Sequence, residues 1–275
     1  MRGKVCVVTG GTAGIGKETA RGLARQGATV VLPVRSRERG EAARDEIVRG
    51  TGNTDVHLVP CDLSRMAEVR RGAEEILARW ERVDVLVNDA ATYSRVRTET
   101  AEGIETQLAV NHLAPFLLTR LLLERLRTSA PARVVTVSSQ AHQRARVPWD
   151  DLQAERGYSG FRRYGQTKLM NLLFTAELAR RLEGTGVTAN AMHPGVVGTE
   201  LLFGGLALLR LFRRWMRTPE QGAATAVWLA SSPEVEGVTG RYFIDEREAE
   251  PSPAARDPAA ARRLWETSER LVGLA

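Results

Sequence analysis

Short apolar runs alternate with amphipathic stretches along almost the whole chain. The runs cover Val5 to Thr9, Thr29 to Val34, Val56 to Pro60, Val83 to Val87, Arg133 to Ser138, Val187 to Met192 and Tyr242 to Ile244. They are continuously apolar rather than alternating, the pattern of strands buried on both faces of a parallel sheet. Between them, helical spacing predicts helices over Gly14 to Gln26, Arg37 to Arg49, Ser64 to Trp80, about Thr100 to Arg127 in two pieces, Phe161 to Leu182, and Ala259 to Leu274. Gly27 suits the end of the first helix and Ser64 the N-cap of the third. Repeated βα units predict one α/β domain over residues 1–275: a Rossmann-type, doubly wound parallel sheet of about seven strands with helices on both faces. Residues 199–218 read as a substrate lid and 245–275 as a C-terminal extension. Its Pro/Ala stretch, Glu250 to Ala261, is linker-like.

With 43% hydrophobic and 26% charged residues, the chain has material for a sizeable core and is not a disordered segment. It holds no run of 18 apolar residues, so no membrane span is expected. No leader is expected ahead of the first strand, and a cytoplasmic location follows as an expectation. Cys6 and Cys61 sit inside apolar runs, which argues against a disulfide framework. The four histidines, His57, His112, His142 and His193, lack metal-ligand spacing, so no metal is expected. The net charge of +6 comes almost wholly from arginines interspersed with acidic residues, as in Arg37-Glu38-Arg39. Such dispersion reads as a solvated surface and not a nucleic-acid stripe, though it suits an anionic cofactor.

The candidate chemistry lies at the ends of the strands. Thr9-Gly10-Gly11-Thr12-Ala13-Gly14-Ile15-Gly16 separates the first strand from the first helix, where glycines let backbone approach a pyrophosphate at a helix N-terminus. The residue that reads the adenosine ribose follows the second strand. There the chain has Arg35 and Arg37, with no carboxylate at Val34, Arg35 or Ser36. A guanidinium pairs with a 2′-phosphate, so NADP(H) is favoured over NAD(H). Lys17 either assists or faces solvent. Tyr164 and Lys168 fall four apart, on one helix face. A neighbouring ammonium lowers a phenol's pKa, which would let Tyr164 exchange a proton with an alcohol or carbonyl. Ser138 and Ser139 end a strand, where a hydroxyl can donate to a carbonyl oxygen gaining charge. His142, three residues on, lines a pocket or packs elsewhere.

These residues together resemble the short-chain dehydrogenase/reductases. The resemblance rests on Thr9 to Gly16, Cys61-Asp62-Leu63, Asn88 to Ala91, Asn111, Ser139, Tyr164, Lys168 and Pro194-Gly195, and so covers nearly the whole chain. Asn111-His112-Leu113, Val137 to His142, Gly184 to Thr188 and His193 to Val197 are similar to the retinol dehydrogenase-like branch. The resemblance implies Tyr164 as general acid/base, Lys168 on the nicotinamide ribose, Ser139 on the substrate oxygen, and Asn111 anchoring a water that relays protons to Lys168. It implies cofactor contacts from Gly10, Thr12, Gly14, Ile15, Gly16, Asp62, Leu63, Asn88, Ala90, Pro194, Gly195, Val197 and Thr199. The substrate would be an apolar carbonyl or alcohol. Two departures stand out. Asp89 and Ala91 occupy positions where the family usually has Asn and Gly, with modest effects expected. The stretch from about Gln140 to Gly160 is longer than in the wider family; it would wall the substrate site and cover the helix used for tetramers, favouring a monomer or homodimer. The segment Leu201 to Arg217, apolar and basic, is a lid or a peripheral lipid contact. A non-catalytic NADP(H) sensor and a sugar-nucleotide epimerase are the competing readings.

Overall fold

The structure, a computed structural model, describes residues 1–198 and 216–274. Residues 199–215 of the proposed lid, Thr199 among them, therefore lie outside the described residues. Among the described residues eight strands form one sheet: β1 (Val5–Val8), β2 (Thr29–Val34), β3 (Val56–Pro60), β4 (Val85–Asn88), β5 (Ala132–Val137), β6 (Val187–His193), β7 (Tyr242–Ile244) and β8 (Arg247–Glu248). Their order is β3-β2-β1-β4-β5-β6-β7-β8. All neighbours are parallel except β7 and β8. The expected seven strands thus gain an antiparallel eighth, too short and polar to leave a pattern in the sequence.

The continuous apolar strands are explained by cover on both faces. Val5 and Val7 enter the core beneath α3 (Met66–Arg79), α5 (Ala114–Thr128) and α6 (Gly160–Arg181). Cys6 and Val8 point the other way, toward α1 (Gly14–Arg25), α2 (Arg37–Thr51) and α7 (Pro219–Ser231). Successive strand residues alternate faces, so a strand covered twice must be apolar at every position.

Three local expectations are corrected. Ser64 does not cap α3: its amide and hydroxyl both bond Asp62 Oδ1. The α3 N-terminus is capped instead by Glu102, whose carboxylate accepts from Met66 N (2.8 Å) and Ala67 N (3.2 Å). The helix expected from about Thr100 starts later. It runs from α4 (Thr106–Leu108) through a π turn, Ala109–Leu113, into α5 without a break. Glu105 caps it, accepting from Gln107 N (2.9 Å) and Leu108 N (2.8 Å).

The helix α6 is covered along its middle by α8 (Pro258–Leu271), and not only by the stretch after Ser139. Trp265 of α8 stacks on Phe174 at 6.0 Å and meets Phe116 edge-on at 5.0 Å. His112, on the π turn, shares a hydrogen bond with Ser268 at 2.9 Å. The linker-like stretch is also ordered: it contains the short helix Pro253–Arg256.

Candidate active site

The carboxyl ends of β1, β4, β5 and β6 converge with the start of α6, and these ends carry the predicted residues. Lys4 and Arg82 brace the opposite end of the sheet by pairing with buried Asp84.

The glycine loop forms the first wall. Gly10 and Gly14 adopt φ of 73° and 54°, conformations that L side chains rarely hold. A side-chain carbon at Gly10 would lie 3.0 Å from Ala90 Cα, and one at Gly16 only 2.6 Å from Asp89 Oδ2. Helix α1 begins at Ala13, which supplies no side-chain cap. Apart from the Gly16 N–H, which faces the Asp89 carboxylate, its first N–H groups and positive dipole end are thus left for an anion. Thr12, Gly14 and Ile15 stay partly exposed on this wall, while Ile15 and Val197 pack around Gly222 of α7. An uncapped helix start behind glycines fits a pyrophosphate.

Arg35 follows β2 and is exposed, with no ion pair among the described residues. Arg37 is already paired with Glu41 (2.8 Å), and Lys17 with Glu46 (2.6 Å). Only Arg35 is left uncommitted at the ribose position. Asp62 spends one oxygen on Ser64, and the Leu63 side chain packs against the core. Asn88 also turns inward: its amide donates to Thr119 of α5 (3.0 Å). Its side chain therefore ties β4 to a helix, and only its backbone remains for a cofactor. The following turn is pinned by Thr9, whose hydroxyl accepts from Asp89 N and Ala90 N, each at 3.1 Å.

The second wall carries the hydroxyls. Ser139 leaves β5 in extended backbone and accepts from Ala141 N (3.2 Å). Tyr164 sits on α6, which packs against the turn that Ser139 opens. Gly165 is what lets α6 come this close, because a side-chain carbon there would lie 2.6 Å from Ala141 O. Lys168, one turn on, is buried and donates to Val137 O (2.9 Å), with its Nζ 5.5 Å from the Tyr164 ring. Ser138 serves α6 instead, donating to Lys168 O (2.8 Å).

The electrostatics differ from the expectation that Lys168 lowers the Tyr164 pKa. The phenol is pushed up, first by burial and then by the Asp89 carboxylate, with Ser139 opposing. Burial pulls Lys168 down, so its charge is itself weakened, while Asp89 supports it. Burial likewise pushes Asp89 up, against the pull of Lys168 and a hydrogen bond from Gly16 N–H. In the protein alone, Tyr164 is a proton donor and not a ready base. The Asn111 side chain is not aimed at Lys168: it accepts from Thr92 N (2.7 Å) and donates to Thr92 O (3.0 Å) and Thr167 Oγ1 (3.1 Å). Both donors of that side chain are thereby used, while Oδ1 keeps a second lone pair.

On the third side, Pro194 is buried and Gly195 holds φ 82°. Arg217 lies against Gly195 and forms a two-pronged ion pair with Asp245, one arm at 2.8 Å. Val197 bridges to Arg217 in strand fashion. His142 is wholly buried. One ring nitrogen faces Ser139 O (2.6 Å) and the other accepts from Ser252 N (3.1 Å), tying the C-terminal extension to the catalytic loop.

Sequence reasoning missed several contributors. Tyr93 meets Tyr164 edge-on at 6.3 Å and forms part of the wall. The buried pair Arg163–Glu105 (2.7 Å) fixes the start of α6. Only Gly165, beside Tyr164, carried a sequence signal for tight approach. No group of metal-binding side chains occurs among the described residues, and no described helix is long and apolar enough to cross a membrane.

A family model described as short chain dehydrogenase matches residues 4–203. Human retinol dehydrogenase 12 is 47% identical over all of this chain and 88% of that protein. Bovine dehydrogenase/reductase SDR family member 13 is 46% identical over all of this chain and 74% of that protein. Among solved structures, an uncharacterized protein from Mycobacterium paratuberculosis superposes with a TM-score of 0.82 at 35% identity, covering 99% of this chain and 94% of that one. The Pseudomonas aeruginosa RhlG/NADP active-site complex gives 0.71 at 29% identity, covering 88% and 94%.

Proposed function

The chain belongs to the short-chain dehydrogenase family, in its retinol dehydrogenase-like branch; from that premise we propose that it is an NADPH-dependent reductase of apolar aldehydes or ketones, acting as a dehydrogenase of the matching alcohols in reverse. The observation that carries this reading is the placement of Ser139 at the end of β5 beside the start of α6, which carries Tyr164 and Lys168, across from a helix start behind glycines with no side-chain cap from Ala13.

The glycine loop would receive the pyrophosphate on the N–H groups of α1, and Arg35 the 2′-phosphate. When bound, the dinucleotide supplies the hydride. Ser139 donates a hydrogen bond to the carbonyl oxygen and steadies the charge that gathers there. Tyr164, held protonated by its surroundings, gives its proton to the same oxygen as the alcohol forms. Lys168 is fixed by Val137 O beside the ring and would hold the nicotinamide ribose. Asn111, whose side chain holds Thr92 in place, would anchor the water of a proton relay to Lys168.

The substrate reading is supported by apolar side chains at the rim. Phe161, one turn before Tyr164, is 64% exposed, and Val196 beside Gly195 is 58% exposed. Tyr93 offers a further aromatic edge. The relatives named retinol dehydrogenases point the same way, to a lipophilic alcohol or aldehyde. A monomer or homodimer fits better than a tetramer, since α8 covers the middle of α6 with Trp265; a stable tetramer in sedimentation would contradict this. The deciding experiment follows loss of NADPH with a panel of apolar aldehydes and ketones, retinal among them. Turnover is expected, with Tyr164→Phe lowering it by about 10²–10⁴-fold and leaving NADPH affinity unchanged. NADPH binding without turnover of any carbonyl would favour a cofactor sensor instead.

A further inference from the structure

The turn that Ser139 opens is held by an imidazole that takes no part in the transfer of hydride or proton. After β5 the chain enters a tight helical turn, Gln140–Arg144, which brings the His142 ring back onto the residue that starts it. The ring Nδ1 lies 2.6 Å from Ser139 O, which also accepts from the His142 backbone N–H at 3.1 Å. The other ring nitrogen, Nε2, accepts from Ser252 N at 3.1 Å. A backbone amide can only donate, so Nε2 carries no proton. In a neutral ring the proton then sits on Nδ1 and is donated to Ser139 O. Burial favours the neutral ring, pulling the His142 pKa below its ordinary value. One tautomer is thus selected by a residue 110 positions away.

Both ends of this link are firm. Ser252 is buried and stands between Pro251 and Pro253, whose rings restrict the backbone on either side. It leads into the short helix Pro253–Arg256, which packs on α6. Asp257 then caps α8, accepting from Ala259 N (2.8 Å) and Ala260 N (3.1 Å), and Trp265 docks α8 on Phe174 and Phe116. Tyr242 of β7 meets the His142 ring edge-on at 5.4 Å. On the Ser139 side the turn is pressed against α6, since Ala141 O stands 2.6 Å from where a side-chain carbon of Gly165 would be. The Ser139 hydroxyl accepts from Ala141 N (3.2 Å), which leaves its proton free for a substrate oxygen. The direction of that O–H is therefore set by a turn whose first carbonyl the imidazole holds.

We propose that His142 is a positioning residue for carbonyl reduction: as a neutral strut between Ser139 O and Ser252 N–H, it makes the C-terminal extension part of the machinery that aims the Ser139 hydroxyl. A donor steadies developing charge only where it points at the oxygen that gains it, and a misplacement of about 1 Å can cost about 10²-fold in rate. The inference rests on the reading of the site as an NADPH-dependent reductase.

The test reads steady-state kinetics on folded, NADPH-saturated protein. In His142→Leu, which removes both ring bonds, kcat should fall by about tenfold to a hundredfold, while KM for NADPH and for the carbonyl stays within about twofold. His142→Gln, whose amide offers one donor and one acceptor, should recover most of kcat. Ser252→Pro approaches the same link from the extension. The φ of Ser252, −57°, already suits proline, but the N–H is lost and a ring carbon takes its place against Nε2. It should lower kcat as H142L does, and the two losses should not add when the substitutions are combined. Nitrogen NMR of histidine-labelled protein, with His142 assigned by its loss in H142Q, should show Nδ1 protonated and Nε2 bare at neutral pH; this readout and S252P carry the test should H142L not fold. Independent structural damage would give additive losses and no recovery in H142Q. An unchanged kcat in H142L and S252P, additive losses, or a ring protonated on Nε2, in protein that turns over carbonyls, would overturn the proposal. An absence of turnover in the unsubstituted protein would strike the reductase reading and remove this inference with it.

Discussion

Replacing Arg35 isolates the cofactor preference from everything else in the site. Arg35 is exposed at the end of β2 and has no ion pair among the described residues, so its removal breaks no internal bond. The change should therefore be read in binding and not in folding. A charge-assisted hydrogen bond is worth about 1.5–3 kcal/mol, and an exposed site argues for the lower end. Arg35→Ala should then weaken NADPH by about tenfold to thirtyfold and leave NADH within about twofold, since NADH lacks the 2′-phosphate. Arg35→Asp adds a like charge facing that phosphate and should bring the preference to parity or reverse it. Arg37 offers an internal control: its guanidinium is held by Glu41 at 2.8 Å, so Arg37→Ala should change NADPH affinity by less than about threefold. The assay is a titration of each protein with NADPH and NADH by protein fluorescence at low and high salt. The NADPH advantage should shrink as salt rises, because the contact is open to solvent. Equal weakening of both cofactors by Arg35→Ala, or none, would refute the reasoning.

Other consequences follow from packing and burial. Gly165→Ala would set a carbon 2.6 Å from Ala141 O. It should cost about 1–3 kcal/mol of stability in denaturant unfolding and lower kcat by pushing Tyr164 from Ser139, while NADPH affinity holds. Arg163→Met should destabilise by about 3–5 kcal/mol, since Glu105 would remain fully buried without its cation. Adding Glu105→Gln should restore much of that loss in the same unfolding measurement. Burial holds His112 and His193 down at about 4 in the folded chain, against 6.5 for a free histidine. Between those values the unfolded chain binds protons that the folded chain does not, so this stability is whole above about pH 6.5 and declines as pH falls toward about 4. At about pH 5 the loss is of the order of 2 kcal/mol per histidine, and Tm should fall by several degrees from its neutral value. An unchanged Tm over that range would count against the neutral burial of both rings.

The strand and helix pattern by itself determines the architecture, because a sheet covered twice forces apolar residues at every strand position. Val5 to Val8 and Thr29 to Val34 are legible for that reason. Arg247–Glu248 are not, since a two-residue edge strand needs no apolar face. Gly10 to Gly16, Tyr164, Lys168 and Ser139 were legible because their chemistry depends on local spacing or on the end of a strand. What depends on approach between distant segments was not. Glu102 caps α3 from 35 residues away, His142 binds Ser252 across 110, and Asn111 holds Thr92 across 19. The sign of the Tyr164 shift belongs to this second class. Spacing along α6 put an ammonium one turn away and so predicted an easier ionisation. Folding added burial and the Asp89 carboxylate, two effects set by what surrounds the phenol in space, and together they outweigh a cation that burial has itself weakened.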